Sequence, residues 1–426
     1  MMKNKVTCIL LFCLGFSLIS PGQVYTDITK QYPFLNADSN HLQINNSKPM
    51  HLMFQKLESL VKGGNDKINI LHIGDSHIQA GFFPHQIRKQ MQSIALGQNG
   101  GRGFVFPYRM ANTNNPVNYK VAYSGQWQSC KNVERKTDCK IGLGGISLST
   151  QKDQTSFQVW FRKKQKPGYH FDQVRVFHTY DTSNWYLRPS DTTLDYTVED
   201  YPDFGYTRFK FRKLKDSISF TLHQKKQTDN ASDDYIFHGL SLDNDEPGIV
   251  YHSTGVNGAE VKSWLRCSLL QKHVSAINPD LIIISLGTND TYMKNFNEPM
   301  FRYNYRMLLE KLQAAAPNAA LLLTTPGDSY RYRRYLNRNI PKAVSIINEI
   351  AENQHIALWN FYQVMGKMNS ISNWHHAGLS SYDRLHLNRK GYQLQGQLFF
   401  SAFMKAFGNY IDQTAQIPDK QQIYKD

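Results

Sequence analysis

The sequence predicts an α/β fold, a parallel central sheet covered by helices on both faces, with an antiparallel β-sandwich inserted into it. Two observations predict this. Short runs of Ile, Val and Leu alternate with segments of helical period both before residue 115 and after residue 247. Between those points the period changes to alternation of apolar and polar residues, broken by Pro and Gly, as in half-buried antiparallel strands. The size agrees: 426 residues exceed the usual single domain, and 41% hydrophobic residues can fill a sizeable core.

Taken in order, residues 1–23 read as a secretory signal. Lys3 and Lys5 precede an apolar run from Ile9 to Ile19, and Ser20-Pro21-Gly22 supplies small residues for cleavage near Gly22. Cys13 follows the bulky Phe12, which argues against lipid attachment there. No later window is apolar enough to span a bilayer, so the expectation is an exported protein, periplasmic or extracellular, with no stable membrane span.

Residues 24–114 form the first part of the α/β domain. Lys67 to Ile73 reads as a buried strand, and Pro84 to Leu96 as a helix with Ile87, Met91 and Ile94 on one face. Residues 115–247 form the insertion. There Val174 and Val176 flank Arg175, Phe209 and Phe211 interleave with Arg208, Lys210 and Arg212, and Ile218, Phe220 and Leu222 alternate with polar neighbours. Residues 248–426 return to the α/β pattern. Strands at Leu281–Leu286 and Ala319–Thr324 are each followed by a helix, the first carrying Tyr305, Leu308, Leu309 and Leu312, the second Ile340, Val344, Ile347 and Ala351. A last helix runs from Lys390 to Phe407.

The formal net charge of +15 favours an acidic polymer, a cell wall or an anionic surface as neighbour. No nucleic-acid-binding signature accompanies it, and export argues against a genomic partner. Cys130 and Cys139 flank a polar, turn-like stretch and are expected to bridge in an oxidising compartment. Cys267 lies in a helical pattern with no adjacent base, and reads as a buried apolar residue.

The sharpest local feature is Ile73-Gly74-Asp75-Ser76-His77, at the end of the first strand and before the first helix. In open α/β sheets, ligands bind beyond the carboxyl ends of the strands. A serine there is well placed as a nucleophile, with the helix N-terminus offering N–H groups to a developing oxyanion. Taken alone, Asp75 and Ser76 are also ordinary helix-start residues. Three further segments change that reading: Gly255-Val256-Asn257-Gly258-Ala259-Glu260, then Gly287-Thr288-Asn289-Asp290 after a strand, then Ser381-Tyr382-Asp383-Arg384-Leu385-His386-Leu387-Asn388 before the last helix.

With these four blocks in this order, the sequence resembles the SGNH hydrolases, also called GDSL-type esterases. The resemblance covers Asn69 to about Asn112 and Gly248 to about Phe407. It implies a three-layer α/β/α sandwich, with Ser76 as nucleophile, His386 as general base and Asp383 orienting it. The Ser76 N–H, the Gly258 N–H and the Asn289 side-chain amide would form the oxyanion hole, Gly255 being the alternative to Gly258. The physical logic agrees: a serine hydroxyl needs an imidazole to accept its proton, and the imidazole needs a carboxylate partner. Such a constellation calls for no metal or organic cofactor. The wording of the first block, Gly101 to Tyr108 and the β-rich insertion look like bacterial peptidoglycan O-acetylesterases carrying an inserted carbohydrate-binding-like sandwich. The implied partner is an O-acetylated polysaccharide, a cell-wall glycan. Polysaccharide O-acetyltransferases share the blocks and stay an alternative, as does a noncatalytic glycan-binding protein on the same scaffold.

Other features are set beside these. His77 stands where many members of the family have leucine; being next to Ser76, it is expected to point away from the serine, in a structural or substrate-edge role. His375 and His376 have no carboxylate at zinc-ligand spacing. Asn99-Gly100-Gly101-Arg102-Gly103 lacks the Lys-Ser or Lys-Thr of a phosphate cradle and reads as a mobile loop beside the site. The basic runs Arg162–Lys166 and Lys210–Lys215 read as solvated faces. Trp160 and Trp185 are candidates for sugar stacking in the insertion. Tyr330-Arg331-Tyr332-Arg333-Arg334-Tyr335 follows a strand end, where it can line the cleft or form a solvated loop.

Overall fold

The computed structural model describes residues 28–415 apart from 29, 46, 95–98, 135–137, 163–167, 180–183 and 226–233. The signal at 1–23 and most of the basic run at 162–166 lie outside the described residues.

The central sheet has six strands, in the order Leu42–Gln43, Ala357–Trp359, Ala320–Thr324, Leu281–Ser285, Lys67–Gly74 and Gly248–Gly255. All neighbours pair in parallel except the antiparallel edge strand Leu42–Gln43. The side chains alternate between two cores, as period-2 geometry requires. Leu71, Ile73, Ile282, Ile284, Leu321 and Leu323 enter one cluster, while Ile68, Ile70, Leu281, Ile283, Ala320 and Leu322 enter the other. On the first face the sheet is covered by helices Val261–Leu265, Leu270–Ile277, Glu298–Ala315 and Ile340–Asn353. On the second it is covered by Lys48–Val61, Phe82–Met91, Phe361–Met365, Ser370–His376 and the long Arg389–Ala415. The sheet is thus a middle layer between two layers of helices.

Between residues 101 and 243 the chain builds two antiparallel sheets. One orders Tyr196–Tyr201, Tyr206–Lys215, Phe171–Thr179, Tyr235–Asp243, Ile146–Thr150 and Gln128–Lys131, with Gly101–Val105 also on Tyr235–Asp243. The other orders Tyr119–Ser124, Ser156–Phe161, Ser217–Gln224 and Trp185–Pro189. Rings meet across the two, Phe157 with Phe237 and Phe209 with Phe220, each pair 4.8 Å apart. Antiparallel pairing begins at Gly101, ahead of the boundary at 115. The apolar interior of these sheets is not closed off, for Phe104, Phe157 and Phe220 belong to the same packed cluster as Ile282, Leu308 and Ile347.

Several local expectations are corrected, while the burial of Cys267 and the Cys130–Cys139 bridge agree with the sequence. Gly101–Val105 is a buried strand and not a loop beside the site. Gly101, at φ +117°, sits at an irregularity in its pairing with Asp243, and Arg102 is buried near the rings of Tyr119 and Tyr169. The helix after the first strand ends at Met91 instead of Leu96. Cys267 lies between two helices, fully buried, and burial pushes its thiol up to about 12. Trp185 is 7% exposed, leaving little of its face for a sugar. Lys210 pairs with Asp172 and Asp245, and Arg212 with Asp195, which accounts for part of that basic run. Cys130 and Cys139 form a disulfide.

Candidate active site

Ser76 opens the short helix Ser76–Gln79 where the strand Lys67–Gly74 ends. Asp75 caps that helix, its Oδ1 accepting from the His77 N–H at 2.9 Å. Beneath the turn the Trp264 indole N–H donates to the Gly74 carbonyl at 3.2 Å. Tight packing of strand end against helix start therefore fixes the backbone that carries the serine.

His386 and Asp383 come from the loop between the helix Ser370–His376 and the last helix. The Ser76 hydroxyl donates to His386 Nε2 at 2.9 Å, and His386 Nδ1 donates to Asp383 Oδ2 at 2.7 Å. Asp383 Oδ1 also accepts the N–H groups of Leu385 and His386, each at 3.0 Å. Burial alone would raise the Asp383 carboxyl. The His386 ring and the two backbone donors overcome this and hold it well below the usual carboxylate range. Asp383 therefore stays ionised at neutral pH, positioned to hold the tautomer that leaves Nε2 free to accept a proton. About a third of each side chain of the Asp383–His386 pair stays exposed, so the site is open to a reactant.

The cleft over Ser76 has a volume of about 660 Å³, and its lining includes Gly258 and Asn289 as well as Asp383 and His386. The two candidate glycines separate by their surroundings. Gly255 ends its strand against the Asp75 carbonyl and the Gln79 N–H, where a Cβ would collide. Gly258 faces open space but has φ +79°, so its backbone conformation, not crowding, demands glycine. Asn289 lies on the cleft wall, its amide donating to the Ala259 carbonyl at 3.0 Å and to Asp75 Oδ2 at 3.2 Å. The structure thus gathers Ser76, Gly258, Asn289, Asp383 and His386 around one cleft.

Three residues without an expected catalytic role hold this arrangement. Gln79, buried, accepts the Asn257 N–H at 2.7 Å and donates to Thr113 and Asn114, fixing the loop that leads to Gly258. Asp290 accepts the Val261 N–H at 3.1 Å on the other side of that loop. Burial, together with the Glu260 carboxylate, pushes the Asp290 carboxyl up to about 7. His77 donates from Nδ1 to Asp75 Oδ1 at 2.8 Å and from Nε2 to the Leu385 carbonyl at 3.3 Å. Its ring lies 5.1 Å from the His386 ring. Burial pulls the His77 ring down, but the Asp75 carboxylate more than offsets this and its pKa is raised. His77 is therefore tied to Asp75 and Leu385 and backs the His386 ring. Of these three, His77 and Asp290 stand inside the first and third blocks of the sequence, while Gln79 carried no such signal.

No group of three or more His, Cys, Asp or Glu side chains is arranged to hold a metal among the described residues. None of their helices is long and apolar enough to cross a membrane.

The family model of the GDSL-like lipase/acylhydrolase family matches residues 216–394. That stretch holds Gly258, Asn289, Asp383 and His386 but not Ser76, which lies upstream of the antiparallel sheets. No curated protein matches the chain. Among solved structures, a peptidoglycan O-acetylesterase is similar over 86% of this chain and 99% of its own, at 20% identity and TM-score 0.70. A lipase/acylhydrolase from Enterococcus faecalis matches 38% of this chain and 77% of its own at 21% identity, TM-score 0.30. An acetyl xylan esterase matches 37% of this chain and 82% of its own at 22% identity, TM-score 0.31. The four blocks in order, a GDSL-like lipase/acylhydrolase domain matched over residues 216–394, and the shared fold together support an SGNH hydrolase of that kind.

Proposed function

We propose that the chain is a serine carbohydrate O-acetylesterase acting on an O-acetylated cell-wall polysaccharide, peptidoglycan being the leading candidate. The observation that carries the reading is the continuous relay from Asp383 through His386 to Ser76, 2.7 Å and 2.9 Å, opening onto the cleft. Ser76 Oγ attacks the ester carbonyl carbon as His386 Nε2 takes its proton. The oxyanion is met by the N–H groups of Ser76 and Gly258 and by the Asn289 amide, which turns one N–H away from Asp75. The tetrahedral species collapses, His386 returns the proton to the departing sugar oxygen, and an acetyl-Ser76 ester is left. Water then attacks that ester with His386 again as base, and acetate leaves as Ser76 is regenerated.

The lining of the cleft supports a small acyl group on a polar alcohol. Its apolar part is Ala80, Phe82, Leu387 and Tyr392, while Asn114, Asn257, Asn388 and Arg389 offer hydrogen bonds suited to sugar hydroxyls. Export to the periplasm or beyond, with residues 1–23 as the signal, agrees with the Cys130–Cys139 bridge. The antiparallel sheets act in this reading as an inserted sandwich that shapes the enzyme's glycan-facing side. The similar solved peptidoglycan O-acetylesterase makes the same ester class the first to test.

The test is to incubate the purified protein with a panel of O-acetylated glycans, with and without excess acceptor oligomer, and to measure free acetate and acetylated oligomer. Acetate release that requires Ser76 is expected. Predominant transfer to the oligomer overturns hydrolysis in favour of acetyl transfer, and no release from any glycan overturns the substrate class.

A further inference from the structure

The segment Tyr330–Leu336 forms a small hairpin, Tyr330 pairing with Leu336 and Arg331 with Tyr335. The Arg334 N–H donates to the Arg331 carbonyl at 3.1 Å, closing a turn whose central residues are Tyr332 and Arg333. Both have positive φ, +50° and +65°. Two successive side-chain-bearing residues in that region are strained, and Asn-Gly would relieve the strain. A tyrosine and an arginine held there point to a use for their side chains.

The hairpin is fastened to both catalytic loops. The Tyr330 N–H donates to the Arg384 carbonyl at 2.8 Å, and the Arg384 guanidinium lies over the Tyr330 ring at 5.2 Å. The Tyr332 N–H donates to the Tyr292 hydroxyl at 3.0 Å, with the two rings 5.3 Å apart. Arg384 directly follows Asp383, and the Tyr292 N–H donates to the Asn289 carbonyl at 3.1 Å. Three tyrosines are presented to solvent here: Tyr332, Tyr335 and Tyr382 are 56%, 60% and 79% exposed. Arg333 lies over the Tyr382 ring at 5.6 Å. Among the described residues, Arg331, Arg333, Arg334 and Arg384 form no ion pair with a carboxylate.

We propose that this hairpin, with Tyr382 and Arg384, is a subsite for a glycan that carries carboxylate groups. Exposed tyrosine faces stack on sugar rings, and the uncompensated guanidiniums take the carboxylates in planar, two-point contacts. Charge complementarity selects this occupant over a neutral glycan, and the attachment to Arg384 and Tyr292 sets it beside the ester-cleaving residues. The inference rests on the glycan-ester reading and narrows it to an anionic polymer.

The test uses the full mature chain and measures binding, apart from ester cleavage. Affinity electrophoresis in polygalacturonate is compared with the same polymer fully methyl-esterified, which keeps the sugar backbone and removes the charge. The unmodified protein is expected to be retarded by polygalacturonate and at least tenfold less by the esterified form. Arg333→Ala/Arg334→Ala and Tyr332→Ala/Tyr335→Ala should each weaken binding at least tenfold. The charge control Arg212→Ala/Lys213→Ala, exposed on the antiparallel sheets, should weaken it less than threefold. Equal binding of the two polymers, hairpin variants that bind as the unmodified protein does, or an equal loss in the control overturns the proposal. Acetate release by the unmodified protein from O-acetylated glycan is measured in parallel, and its absence counts against the ester reading alone.

Discussion

Asp290→Asn tests whether a carboxyl in the third block is held protonated by its surroundings. Asp290 accepts the Val261 N–H and lies close to the Glu260 carboxylate, and burial with that neighbour raises it to about 7. An unfolded aspartate titrates near 3.9. Between those values the folded state keeps a proton that the unfolded chain has released, so stability is greatest at low pH and falls as pH rises through 7. Three pH units correspond to about 4 kcal/mol, a ceiling because the charge is shared with Glu260 and reaches some solvent. Asparagine keeps an oxygen for the Val261 N–H and carries no charge at any pH. The variant should match the unmodified protein near pH 3, draw ahead as pH rises from about 4 to 7, and exceed it by roughly 1 to 4 kcal/mol at pH 8.5. Denaturant unfolding at several pH values gives the difference directly. Parallel pH profiles for the two proteins would refute a protonated Asp290, and a variant less stable at every pH would show that ionised Asp290 supports the Val261 turn.

Ser76→Ala and His386→Ala should each lower ester hydrolysis by roughly 10⁶-fold, and the double variant should lose little more, because the pair acts as one unit; additive losses would refute the relay. Asp383→Asn should cost about 10⁴-fold through the wrong His386 tautomer, measurable with a small acetyl ester. Asn289→Ala should lower kcat by about 10² to 10³ with KM little changed, since an oxyanion donor acts in the transition state; a loss confined to KM would place Asn289 in ground-state binding instead. Replacing Cys130 and Cys139 by Ser should destabilise the protein by about 3 kcal/mol, as expected for so short a bridged loop. Mass spectrometry finding both thiols free in material from an oxidising compartment would refute the bridge.

Ser76, Asp383 and His386 were legible because their chemistry is local: a strand end, a helix start, and a three-residue spacing that lets one loop supply both imidazole and carboxylate. The choice between Gly255 and Gly258 was not legible, since both are glycines in one turn and the distinction lies in what each meets. Gly255 is pressed against the carbonyl of Asp75, the cap of the helix Ser76–Gln79, while Gly258 needs only its positive φ. His77 was expected to point away from the serine. That its ring would then back the base at 5.1 Å depended on Leu385 and His386 arriving from far along the chain.

The misreading of residues 99–103 has the same origin. Glycine-rich composition suggests a loop, yet Gly101 and Gly103 let a strand pass close to Asp243 and His252, contacts made across more than a hundred residues of chain. Periodicity reports which faces of a segment are apolar and is silent about what covers them. The alternating strands between 115 and 247 were therefore visible as strands, but not that their interior would run on into the helices over the central sheet, Phe157 and Phe220 in one cluster with Leu308 and Ile347. That continuity means the antiparallel sheets brace the layer above Val261–Leu265 and Glu298–Ala315, the same layer that sets Gly258 and Asn289 around Ser76. An isolated copy of residues 115–247 would expose the apolar face that the enzyme buries.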